Sequence, residues 1–181
     1  MLLCCLLLLA SSACSGNEEP GETDTDKPAQ WTLPKFLREA SGLALTSDGN
    51  LLAHNDEKAN IYRISVSDRS AVKLASVGKP PLRGDFEGIA TAGDRIYLST
   101  STGQVLAISD VKPDAEKQVV TAEVIDTGLG SRCELEGLHH HAGRLLLPCK
   151  NARLPDYQDR LVVRSEEHTT ELQSRPHISY A

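Results

Sequence analysis

One short pattern is written twice in this chain and a third time in degraded form. The copies are Arg83-Gly-Asp-Phe-Glu-Gly-Ile89, Arg132-Cys-Glu-Leu-Glu-Gly-Leu138 and, ahead of both, Leu37-Arg-Glu-Ala-Ser-Gly-Leu43. They start 46 and 49 residues apart. Each is followed by turn chemistry and by short aliphatic and β-branched runs, and helical periodicity is missing between them. A repeat of about 40–50 residues built from short strands is the length of one four-stranded blade of a β-propeller. A β-sandwich would not demand the same residues at the same strand start in each repeat.

The blades can be placed on the sequence. In the first, Ser41–Leu45 reads as the innermost strand, 46–50 as a turn, Leu51–His54 as the second strand, Ile61–Val66 as the third and Ala71–Val77 as the fourth. In the second, Gly88–Ala90, Arg95–Ser99, Val105–Ile108 and Val119–Ile125 repeat the scheme. The third keeps only a first hairpin, with strands at 134–140 and 144–149, followed by a polar loop and Leu161–Val163. The expected fold is all-β, a partial β-propeller of about three blades over residues 33–163. Closed propellers have about four to eight blades.

The two ends read differently from this middle. Residues 2–13 form an apolar run ended by small residues just before Cys14, too short to span a bilayer as a helix. Small residues leading into a cysteine resemble a bacterial lipoprotein signal, so residues 1–13 are expected to be a lipoprotein-type signal peptide and Cys14 its lipidated residue, with an ordinary secretory peptide as the other reading. Residues 14–32 would then be a polar tether, whose Glu, Asp, Thr, Gly and Pro cannot build a core. At the other end, Arg164–Ala181 continues nothing in the repeat and resembles the translation of a common sequencing adapter. Residues 164–181 are expected to be foreign and unstructured, and the natural chain to run on past Val163.

The formal charge of −6 comes without a basic stripe or interleaved aromatic residues, which argues against nucleic acid as a partner. Setting aside Cys4 and Cys5 in the signal and Cys14 as the lipid site leaves Cys133 and Cys149. A hairpin turning near residue 141 would bring these two almost opposite each other. An exported protein meets oxidising conditions, so a disulfide is one reading. Two inert thiols or a metal site are the others.

Side chains at i, i+2 and i+4 of a strand share a side. Arg83, Asp85 and Glu87 would point together, as would Arg132, Glu134 and Glu136. Copies from neighbouring blades would then converge on the axis of the ring. Converging carboxylates repel unless arginines, a shared proton or a metal ion compensates them. An oxygen-rich set suits calcium. The alternative is structural, each Glu accepting backbone N–H bonds or pairing with a neighbouring blade's arginine. His54-Asn55-Asp56-Glu57 is a second polar set, read as a turn that uses Asn and Asp for its own backbone.

Ser-Gly-Leu at 41–43, Asn-Asp-Glu at 55–57 with Ile-Tyr at 61–62, Asp-Phe-Glu-Gly-Ile-Ala at 85–90 and Glu-Leu-Glu-Gly-Leu at 134–138 together resemble the SdiA-regulated family. They are also similar to the phytase-like esterase domains. The resemblance spans about residues 33–155 and implies an exported envelope propeller. Glu87 and Glu136 match the family's repeated Glu, with Asp85 and Glu134 before them, and Ser41 departs in the first copy. The implied role is that of a lipoprotein of the bacterial cell envelope, anchored in the outer membrane and facing the periplasm, that binds a ligand or an envelope protein. The alternative implied by the phytase-like relatives is a calcium-dependent phosphoesterase. There Asp85, Glu87, Glu134 and Glu136 would hold metal while Arg83 and Arg132 bind a small phosphorylated ligand.

Overall fold

The computed structural model describes residues 30–157 and 161–165. The chain divides between Trp31 and Thr32, and the second unit, Thr32–Ala181, carries all thirteen strands found among the described residues. Among the described residues helix is limited to two 3-10 turns, Lys35–Leu37 and Pro155–Tyr157. The signal peptide, Cys14 and most of the tether lie outside the described residues.

Blade 1 is a meander of β1 (Ala40–Leu45), β2 (Leu51–Asn55), β3 (Asn60–Ser65) and β4 (Ser70–Val77), each antiparallel to the next. Blade 2 repeats it with β5 (Phe86–Ala92), β6 (Arg95–Thr100), β7 (Gln104–Ile108) and β9 (Glu123–Asp126). Blade 3 holds β10 (Cys133–Leu135), β11 (His139–His141), β12 (Arg144–Ala152) and β13 (Leu161–Ser165). The innermost strands lie side by side, β1 against β5 and β5 against β11.

Blade 2 shows why the sequence makes this stack. Along β6, Ile96 and Leu98 point into a core shared with Leu52, Ile61 and Leu74 of blade 1. The intervening Tyr97 points the other way, into a core with Leu135, Leu145 and Leu147 of blade 3. In β7, Leu106 and Ile108 join the first core and Val105 the second. The period-2 pattern is thus apolar on both sides, as a sheet sandwiched between two others requires. Each Leu or Ile fully buried this way contributes about 1.5–3 kcal/mol. Blade 1 shows the other case: Leu43 and Leu45 are 60% and 65% exposed, while their neighbour Ala44 is buried against blade 2. Phe36 of the first 3-10 turn stacks on Tyr62, ring centroids 5.3 Å apart, and Leu37 is buried with it.

Four expectations from the sequence are corrected. The run 119–125 is not one strand. Its first part, β8 (Gln118–Val120), pairs in parallel with β4 of blade 1, and only β9 completes blade 2. Backbone bonds tie it to blade 1, Lys117 N–H donating to the Lys73 carbonyl and Gly78 N–H to the Val120 carbonyl, each at 2.9 Å, and the Gln118 side-chain amide, bonded to Lys112 and Ala115 of its own loop, also reaches the Leu74 carbonyl.

The strand expected at 134–140 is broken at Glu136-Gly137-Leu138. Gly137 turns away with φ +85°, its N–H donating to the Glu87 carbonyl and its own carbonyl accepting from Ser99 Oγ, both in blade 2. Across from the break, Pro148 has no N–H to offer.

The register also moves: Cys133 lies opposite Ala152, and Leu135 opposite Cys149, with a bulge between. The bulge still leaves the two cysteine Cα atoms 5.7 Å apart, and they form a disulfide. The third blade runs on to Ser165, because β13 pairs Arg164 with Leu145 and Ser165 with Arg144.

Candidate functional site

The repeated pattern sits at the head of each innermost strand, and its backbone holds each blade to the one before it. The N–H groups of Gly84 and Phe86 donate to the carbonyls of Glu57 and Asp56, at 3.2 and 2.7 Å. One blade further on, Leu135 N–H donates to the Ser101 carbonyl at 3.1 Å. The acceptors belong to the turns that follow the second strands of blades 1 and 2. Within the first of these, Asn55 Oδ1 accepts from Lys58 N–H and Asp56 Oδ1 from Glu57 N–H, so the Asn55 and Asp56 side chains are occupied in shaping the turn.

The side chains divide. The first acid of each copy accepts a hydrogen bond from a polar side chain near the end of its own blade's second strand. Glu39 takes Asn55 Nδ2 at 3.5 Å, Asp85 takes Ser101 Oγ at 2.6 Å, and Glu134 takes Asn151 Nδ2 at 2.7 Å. The second acid behaves differently. Glu136 pairs with Lys150 at 2.8 Å. Glu87 lies among like charges, and its carboxyl is held above the usual carboxylate range. Burial is the main cause, followed by the charges of Glu136 and Asp85 and a hydrogen bond with the Asp85 carboxyl; Lys150 pulls the other way.

The strand-parity argument holds only partly, since β5 begins at Phe86 and is bulged between Phe86 and Gly88, leaving Arg83 and Asp85 ahead of the strand. The structure brings both Asp85 and Glu136 within electrostatic reach of Glu87 but sends the arginines elsewhere. Arg83 reaches Glu57 at 3.4 Å across the blade boundary, both side chains largely exposed. Arg132 donates to Tyr157 Oη at 2.6 Å and lies 5.7 Å from the centre of its ring. Among the described residues no three His, Cys, Asp or Glu side chains are gathered as a metal-holding set.

Sequence reasoning missed Lys150 and the polar partners Asn55, Ser101 and Asn151. A signal existed, since each of the three partners stands near the end of a second strand. It was hidden because one partner is a serine and two are asparagines. A cavity of about 430 Å³ opens beside the second copy, lined by Arg83, Asp85, Thr100 and Thr102 among others.

The fold defines the class: three consecutive blades of a β-propeller. No protein-family model and no curated protein sequence matches the chain. Among solved structures it is similar to virginiamycin B lyase from Staphylococcus aureus, at 16% identity and TM-score 0.51, over 87% of this chain and 48% of that one. It is also similar to the glutaminyl cyclase of Myxococcus xanthus, at 18% identity and TM-score 0.49, over 75% and 49% of the two chains. A third is the PQQ-bound aldose sugar dehydrogenase of Streptomyces coelicolor, at 13% identity and TM-score 0.45, over 70% and 42%. The chain spans about half the length of these proteins. At such identities the likeness is one of fold alone.

Proposed function

We propose that this chain is the binding propeller of a lipid-anchored bacterial envelope protein of the SdiA-regulated type, without catalytic activity of its own, and that its acidic blade heads receive a cationic group of a periplasmic ligand or partner. The observation that carries this reading is the state of Glu87. Its carboxyl is pushed up by burial and by Glu136 and Asp85, with Lys150 opposing. A bound cation would relieve that repulsion, as a shared proton does. Calcium is the ion that the family resemblance suggests, but it takes six to eight oxygens. The described residues do not assemble that set, so a compact organic cation fits better.

A phytase-like, calcium-dependent phosphoesterase is the second reading. It is favoured by one observation, the cavity that Arg83 and Asp85 line together.

Thermal melts of the full chain with oligolysine peptide or with calcium chloride test the first reading. Oligolysine is expected to raise the melting temperature near neutral pH, and Glu87→Gln with Glu136→Gln to abolish the rise. If neither additive shifts the wild type, the acidic heads serve structure only. Hydrolysis of p-nitrophenyl phosphate that requires calcium and is lost in Arg83→Gln would favour the second reading instead.

A further inference from the structure

At the end of the innermost strands opposite the acidic heads, blades 1 and 2 flank a half-open cavity of about 440 Å³. That volume suits a small organic molecule. Its floor is aliphatic, made by the buried side chains of Leu52, Leu74 and Ile96 from the two sheets. Val111 and Pro113, from the loop that leaves β7, close it from above. Arg63 of β3 stands on its wall and ties this loop down, its Nη1 donating to the Pro113 carbonyl.

The polar groups around it are unequal, and Asp94 and Arg95 line it beside Arg63. The Asp48 carboxylate is taken up inside its own turn by Thr46 Oγ1, by the Asn50 N–H and by Asn50 Nδ2. Thr91 Oγ1 is likewise engaged, donating to the Leu45 carbonyl. A guanidinium has five N–H donors in a planar fork, and a single bond to Pro113 uses one of them. Arg63 is half-buried as a residue, while the bond of its guanidinium to Pro113 is solvent-exposed, so the fork can be reached from solvent.

We infer that this inter-blade cavity is a binding site for a small amphipathic carboxylate. The hydrocarbon body lies on Leu52, Leu74 and Ile96, and the carboxylate meets the Arg63 fork. An aliphatic floor offers a polyol nothing in exchange for its lost water, whereas a planar fork matches the two oxygens of a carboxylate. The site uses none of the acidic heads, and it stands or falls separately from the function proposed above.

Calorimetric titration of the full chain with octanoate and with 1-octanol tests it. Octanoate is expected to bind at least about tenfold more tightly than octanol, the difference that a charge-assisted hydrogen bond makes. Arg63→Gln should bring octanoate down to the octanol level. Ser47→Trp, an exposed rim position, should obstruct both, and it keeps the test decisive if Arg63→Gln does not fold. Equal binding of the two ligands by the wild type, octanoate binding unchanged by Ser47→Trp, or no octanoate binding at millimolar concentration overturns the inference.

Discussion

Gly88 lies against the backbone of Gly137: a Cβ added to Gly88 would stand 2.4 Å from the Gly137 carbonyl carbon and 2.4 Å from the Leu138 nitrogen. In this copy of the Glu-Gly pair the glycine is therefore a packing requirement, letting the innermost strand of blade 2 touch blade 3, whereas Gly137 is needed for its φ of +85°. Gly88→Ala has no flexible side chain to push aside, only backbone. It is expected to cost about 1–3 kcal/mol, the range for overpacking a tight contact, and to loosen blade 3 from blade 2. Urea denaturation followed by circular dichroism would measure the loss; an unchanged midpoint would contradict the contact.

Glu87→Gln is expected to stabilise the protein near neutral pH. Because the folded state holds the Glu87 proton more tightly than the unfolded state, whose value is near the ordinary 4.5, the stabilising effect of this group is fully present below about pH 4.5. It is lost as pH rises through the raised folded value. The glutamine cannot ionise and has no such loss. Wild type and variant should melt together at about pH 4, and the variant should melt higher at about pH 7. A variant that melts lower at pH 7 would mean that the ionised carboxylate is doing structural work.

The Cys133–Cys149 bridge closes a loop with a sequence separation of 16. Loops of that length correspond to about 3 kcal/mol of unfolded-state entropy. Both sulfurs also border the core between blades 2 and 3. Replacing both cysteines by alanine, or adding dithiothreitol, is expected to lower the stability of blade 3 by about 2–4 kcal/mol. Thermal melts with and without reductant check it, and a reductant-insensitive wild type would refute it.

The strands that sequence reasoning found are those whose pattern is local. Ile96-Tyr97-Leu98 alternates within a sheet buried on both faces and follows the Gly93-Asp94 turn, so position along the chain suffices. What stayed hidden depends on distant partners. Val119 and Val124 look like one strand until the Gln118 amide is seen holding the first part to Leu74, 44 residues earlier. The break at Gly137 is written in the Glu87 carbonyl and the Ser99 hydroxyl, not in residues 134–140 themselves. The acidic site was legible as a set of residue types but not as a geometry. The bulge in β5 and the salt bridge to Lys150 decide which carboxyls meet.

His54 supplies the acid limit of the fold. Its side chain is fully buried between β1 and β5, with Nε2 facing Gly42 and without a hydrogen-bond partner among the described residues. Burial pushes its pKa below the ordinary 6.5, against the Asn55 carbonyl at Nδ1 and the charge of Asp56, which favour the protonated ring. The unfolded chain thus takes up a proton at a pH where the folded chain does not. Stability falls as pH drops below about 6.5 toward the lowered folded value. His54→Leu removes both the titration and the orphaned nitrogen. Melting temperature followed from about pH 7 down to about pH 5 is expected to fall less steeply in His54→Leu than in the wild type, with Glu87→Gln as background so that the opposing carboxylate does not mask the slope. Parallel slopes in the two proteins would show that His54 is not the group that senses acid.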